Sequence, residues 1–268
     1  MKNQQRLNFN NWISCPQPNP QAKLRLFCFP CAGGTTSAYS KWYNYLPTDI
    51  EINLVQLPGR SHRIEEPLFT NFLPLVKTLT SELKPYLNKP FAFFGHSMGA
   101  TLAFEIIRQL RHENHQIPIH LFAAACAAPH SPIKPFIHKL PETEFIAELQ
   151  HRYNAIPQSI LNNKELMQIF LPCLQADFTM IETYMYVLEK PLDCPISVFG
   201  GLQDKVISIN KLEYWRVETN DIFNLEMFTG GHFFLHDNQS SFLQSLSQKL
   251  IETLAANIHD NYNYKLIA

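Results

Sequence analysis

Residues 91–111 constrain this chain more than any other stretch. Residues 91–94 (FAFF) form a compact apolar run with no polar member, as a strand buried on both faces requires. Residues 98–111 then place Leu102, Ala103, Ile106, Ile107 and Leu110 on one face at helical spacing. Only residues 95–97 remain to join the two, so the chain must pass from strand to helix through a tight turn. A buried strand that leads straight into an amphipathic helix belongs to a parallel sheet covered on both faces.

The rest of the chain repeats that rhythm. Short apolar strands are expected at Leu24–Phe29 and at residues 52–57, 121–128, 196–199 and 224–228. Amphipathic helices are expected at residues 71–87 and 240–256, and a further helix through Tyr39 and Trp42. Between Pro129 and Pro191 there is helical spacing around residues 142–153 and 164–188, and no convincing strand. The apolar residues there (Phe145, Ile146, Leu149, Phe170, Phe178, Met180, Met185) exceed what one crossover helix needs. This region, about residues 130–190, reads as a helical insertion on the sheet within a single domain spanning residues 1–268. Residues 1–22 are polar, contain Pro16, Pro18 and Pro20, and read as an extended lead-in.

Composition excludes several function classes. The net charge is −1 and no basic block stands out, so nucleic-acid binding has no electrostatic support. The N-terminus lacks the apolar run of a signal peptide, and the purest apolar run, residues 121–128, is too short to span a bilayer. The expectation is a cytoplasmic, monomeric protein with no membrane partner. Six cysteines spread through a chain without a signal peptide do not suggest a disulfide scaffold. Cys28 and Cys31 have CxxC spacing, but a zinc site needs about four ligands. No second CxxC exists, and no histidine lies within a few residues of Cys31. No metal and no cofactor are expected.

Residues 95–99 (GHSMG) match G-x-S-x-G, with a strand before and a helix after. That context defines a nucleophile elbow, which would hold the Ser97 hydroxyl above the sheet. A serine hydroxyl needs a base, and in this fold the order is serine, acid, histidine. His232, in FTGGHFFL, follows the last expected strand and precedes the closing helix, so its loop reaches the C-terminal sheet edge. His236 competes but lacks the glycine lead-in, and His96 should point away from the serine. His112, His115, His120 and His259 read as solvated residues near helix ends or polar turns. For the acid, the strand at residues 196–199 runs into GGLQDKVIS, which supplies Asp204. Asp237 is the runner-up, and Asp193 precedes its strand at the wrong edge. The oxyanion hole would use the backbone N–H of Met98 and that of Ala32 in FPCAGG, with Cys31 lining it and Cys28 buried in its strand.

Taken together, these residues resemble the type II thioesterases, stand-alone α/β-hydrolases that serve nonribosomal peptide and polyketide synthases. The resemblance runs through LFCFPCAGG with Tyr39 and Trp42, QLPGRSHRIEEP, FFGHSMGA, GGLQDKVIS and GGHFFL, and covers nearly the whole chain. It implies an α/β-hydrolase fold with a mostly parallel central sheet, helices on both faces and the insertion as a lid. It also implies hydrolysis of acyl thioesters on the phosphopantetheine arm of an acyl or peptidyl carrier protein, which clears stalled or aberrant groups. One departure is Cys31, where the family commonly has histidine. The backbone donor of Ala32 survives that change, whereas a polar role for the preceding side chain does not. The competing readings are a general esterase or acyltransferase with the same triad, and an inactive α/β-hydrolase that serves in binding. The intact Ser97, Asp204 and His232 argue against the last.

Overall fold

In the computed structural model, which describes residues 10–131 and 134–267, the expected apolar runs become strands of one sheet. The first nine residues of the expected lead-in lie outside the described residues. The strands are β1 (Ile13–Ser14), β2 (Leu24–Phe29), β3 (Ile50–Val55), β4 (Phe91–His96), β5 (Leu121–Ala124), β6 (Ile196–Gly201) and β7 (Phe223–Phe228). Their order is β1-β3-β2-β4-β5-β6-β7. Strands β2 to β7 pair in parallel, and β1 runs antiparallel against β3. The helices are α1 (Phe72–Leu83), α2 (Met98–His112), α3 (Glu142–Tyr153), α4 (Gln158–Leu161), α5 (Lys164–Glu182), α6 (Ile209–Glu213), α7 (Phe234–Asp237) and α8 (Gln239–Ile267).

The pleat explains why residues 91–94 of β4 read as an unbroken apolar run. In β4, Phe91 and Phe93 pack with α1 and α2, while Ala92 and Phe94 face the layer built by α8. Successive side chains of a strand alternate between faces, and here both faces are covered. On the α8 side Trp42 meets Phe94 with ring centroids 5.0 Å apart, and Phe242 meets Phe199 at 5.3 Å. Each such fully buried ring stabilises the fold by roughly 1.5–3 kcal/mol. The insertion between β5 and β6 carries its own apolar cluster of Ile137, Phe145, Leu149, Ile156, Leu174 and Phe178.

Several expectations need correction. The strand expected over residues 121–128 stops at Ala124: the Ala125 N–H still makes the in-register bond to the Phe199 carbonyl at 2.8 Å, but its left-handed φ of 49° then takes the chain out of the ladder. The helix through Tyr39 and Trp42 is instead two 3₁₀ turns, Thr36–Ala38 and Trp42–Asn44. The Thr35 side chain accepts from the Ser37 N–H there, a local bond that competes with a regular helix. The helix expected to continue to residue 188 ends at Glu182. Beyond it, Arg108 and Arg111 of α2 reach the carbonyls of Val187, Lys190 and Pro191 and strap the chain down in irregular form. Met185 is accordingly 81% exposed and is not part of the buried apolar face of α5. His120 is buried: it stacks on Phe122 with centroids 4.1 Å apart and bonds Ser197 and Thr253. Strand β1, two residues long, is too short to show a period.

Candidate active site

The elbow is built from close main-chain contacts. Ser97 sits between β4 and α2 with φ 53° and ψ −118°, a conformation that costs a serine energy and persists only where its surroundings enforce it. Its N–H is held by the Ala124 carbonyl at 2.8 Å. A Cβ on Gly95 would lie 2.3 Å from the Gly99 carbonyl oxygen, and one on Gly99 would lie 2.3 Å from that of Phe29. Strand, helix and the loop after β2 therefore meet more closely than any side chain permits.

The loops after β6 and β7 bring two further groups to this edge. His232 Nε2 lies 3.0 Å from Ser97 Oγ, and His232 Nδ1 lies 2.8 Å from Asp204 Oδ2. The other Asp204 oxygen accepts the N–H groups of Val206 at 2.8 Å and Ile207 at 3.0 Å. Burial alone would raise the Asp204 carboxyl. The hydrogen bond and charge of His232, with the two N–H donors, outweigh it and hold the group below its ordinary value. Asp204 is thus a carboxylate that orients the imidazole, and the serine hydroxyl can donate to Nε2. His96 faces away from the hydroxyl, as expected, and its Nε2 donates to the His232 carbonyl at 3.0 Å. Burial, and then the nearby His232, push His96 down to about 3, so it is neutral.

The competing residues stand elsewhere. His236 and Asp237 lie exposed in α7. Asp193 precedes β6 and accepts from Asn220 at 3.0 Å. Cys28 packs in the α8-side layer, where burial raises its thiol, whereas Cys31 sits in the loop after β2. Burial and then the charge of Asp177 push the Cys31 thiol up to about 12, so neither cysteine presents a thiolate. Among the described residues no group of three or more His, Cys, Asp or Glu could hold a metal ion.

Beside Ser97 a cavity of ≈ 230 Å³ is lined by Met98, Cys126, Phe136, Ile181 and Tyr186. Two neighbours escaped the sequence reading. Tyr153, at the end of α3, sets its ring 4.9 Å from His232 at 70°. Arg60 and Asp177 pair beneath the loop that contains Ala32. Arg60 stands in QLPGRSHRIEEP, but its partner is 117 residues away and carries no local signal.

A thioesterase domain family model matches residues 24–250. The chain belongs to the thioesterase family. It is 40% identical over 250 residues to the gramicidin S biosynthesis protein GrsT of Aneurinibacillus migulanus, covering 93% of this chain and 97% of GrsT. It is 41% identical over 245 residues to a Brevibacillus parabrevis protein named linear gramicidin dehydrogenase LgrE, covering 90% of this chain and 93% of that one. Among solved structures it superposes on YbtT, the type II thioesterase from the yersiniabactin NRPS/PKS biosynthetic pathway, with a TM-score of 0.80 and 28% identity. That match covers 91% of this thioesterase and 99% of YbtT.

Proposed function

We propose that this thioesterase hydrolyses acyl groups from the phosphopantetheine arm of carrier proteins in a nonribosomal peptide or polyketide synthase system, with Ser97 as nucleophile. The observation that carries the reading is His232, bonded at once to Ser97 Oγ at 3.0 Å and to Asp204 at 2.8 Å. In this reading His232 Nε2 takes the serine proton as Oγ bonds to the thioester carbonyl carbon. The C–S bond then breaks, and the imidazolium returns the proton to the departing thiolate. Water, deprotonated by the same nitrogen, attacks the acyl-enzyme carbonyl carbon; the C–Oγ bond then breaks, the imidazolium returns the proton to Ser97 Oγ, and the free acid leaves. The N–H groups of Ala32 and Met98 would stabilise the oxyanion, each by about 3 kcal/mol. The cavity beside Ser97 is mostly apolar and would take the acyl chain.

The carrier-protein assignment rests on the synthase pathways named for the relatives. The insertion would act as a lid; its own core and the contact of Tyr153 with His232 support that reading. The same reading keeps the sequence expectation of a monomer in the cytoplasm. The name of LgrE describes a different chemistry. No two glycines of this chain stand two residues apart, so the G-x-G-x-x-G dinucleotide cradle is missing.

The test is a set of carrier proteins loaded with short, branched and aminoacyl groups. The wild-type enzyme should release free carrier thiol, and folded Ser97→Ala should release none. Undiminished release by the variant would remove the serine mechanism. Hydrolysis of small thioesters without any loaded carrier would remove the carrier assignment.

A further inference from the structure

The expected lid and the expected oxyanion loop are joined by a buried ion pair that the reaction as described does not use. Asp177 of α5 is 1% exposed and Arg60 is 5% exposed. Arg60 donates to the carboxylate through both terminal nitrogens, Nη1 to Oδ2 at 2.8 Å and Nη2 to Oδ1 at 2.9 Å. Oδ2 also accepts the main-chain N–H of Gly33 at 2.8 Å. Arg60 Nε is anchored on the Pro58 carbonyl at 3.2 Å, and Nη1 reaches the Gly34 carbonyl at 3.4 Å.

The Gly33 N–H belongs to the peptide between Ala32 and Gly33. That peptide is the middle of a turn closed by the Gly34 N–H on the Cys31 carbonyl at 2.9 Å. Gly33 has φ 67°, the left-handed value that one form of this turn requires at its third residue. In the alternative form the middle peptide is flipped and its N–H points away. A carboxylate fixed on that N–H therefore selects one form. The same face of α5 closes over the turn: a Cβ on Gly33 would lie 2.8 Å from Leu174 and 3.0 Å from Phe170. Phe170, Leu174 and Asp177 stand at i, i+4 and i+7, one stripe of the helix. Ala32 packs against the cluster of the insertion.

An ion pair of this kind is a poor device for mere attachment. Withdrawing two charges from water costs several kcal/mol each, and apolar side chains of similar volume often hold such a contact at least as well. A carboxylate, unlike a leucine, can accept the Gly33 N–H.

We propose that Asp177, held by Arg60, is a positioning residue. It locks the Ala32–Gly33 peptide, and with it the turn whose first peptide carries the Ala32 N–H, so that docking of the insertion and completion of the oxyanion hole are one event. This rests on the proposed function, in which Ala32 supplies an oxyanion donor.

The experiment compares wild type, Asp177→Asn and the double variant Arg60→Met/Asp177→Leu on a small acyl thioester, with active sites counted by fluorophosphonate labelling. The double variant leaves no buried charge unpaired, so it stays informative if Asp177→Asn folds poorly. In both, kcat per labelled site should fall by about 10- to 100-fold, the loss of part of one oxyanion donor. KM and the pH profile should stay near wild type. Affinity for a trifluoromethyl ketone, whose oxyanion occupies the same hole, should fall in step with kcat. A purely structural clamp would lower the melting temperature and leave kcat per labelled site unchanged, and that result overturns the proposal. Wild-type kcat in both variants beside an inactive Ser97→Ala would overturn only this inference. Turnover retained by Ser97→Ala would take down the proposed function and this inference with it.

Discussion

At the elbow, position is set by main chain against main chain. Gly95 and Gly99 leave no room for a Cβ, and Ser97 is held by the Ala124 carbonyl. In the insertion, position is set by side chains. Its helices share a small cluster of their own and touch the sheet edge through Tyr153, Leu174 and Asp177. Backbone contacts admit essentially one geometry, because nothing in them can change rotamer. A surface of separate side-chain contacts can be released step by step at modest cost. In the proposed function, the first region would hold the reacting atoms still and the second would admit and retain the substrate.

The strongest test of the rigid half is to remove its chemistry. Ser97→Ala or His232→Ala should lower kcat by about 10⁵- to 10⁶-fold. Asp204→Asn should cost about 10⁴-fold, since it acts through the imidazole tautomer. Steady-state kinetics on folded protein decide this. A crippling Asp237→Asn beside a silent Asp204→Asn would show that the acid is misassigned.

A second measurement addresses the other half. Amide hydrogen exchange in α3 and α4 should run at least about 100-fold faster than in β4, and slow when an acyl-loaded carrier protein is added. The turn of α5 around Asp177 should exchange with the sheet. Exchange throughout the insertion as slow as in β4, and indifferent to the carrier, would erase the contrast between the two regions and with it any gating role.

The smallest effect concerns acid stability, which the sheet should govern. Burial first, and then the nearby His232 for His96 and Lys249 for His120, push both imidazoles down to about 3. Their ordinary value is near 6.5, so between about pH 6.5 and 3 the unfolded chain binds protons that the folded chain refuses. The stability is complete above that window and is lost as pH falls through it. Between pH 7.5 and 5.5 each histidine should account for about 1.4 kcal/mol of lost stability. Urea denaturation of His120→Gln at the two values should show a loss smaller by that amount. Equal losses in variant and wild type would mean that His120 does not contribute.

What could be read in advance follows the same division. Ser97, Asp204 and His232 announce themselves because each sits in a loop directly after an apolar strand, a local pattern. The expectation for Ala32 has the same local origin, a glycine-ended loop after β2. Asp177 gives no such signal: it is one acid in an amphipathic helix, and its meaning lies in Arg60 and Gly33, 117 and 144 residues away. Tyr153 reads as another aromatic in the insertion until the fold lays it on His232. Strand β5 is shorter than its apolar run, which continues through residue 128, because a single left-handed Ala125 ends the ladder without any change in composition.

The contact of Gly99 with the carbonyls of Phe29 and Pro30 has one more consequence. It works as a gauge block between the nucleophile and the loop that faces it. No side-chain torsion enters that spacer, so exchanging residues around the cavity should leave the gap between the two surfaces near its present value. The cavity can then be re-cut for a different acyl chain without recalibrating the bond-making step.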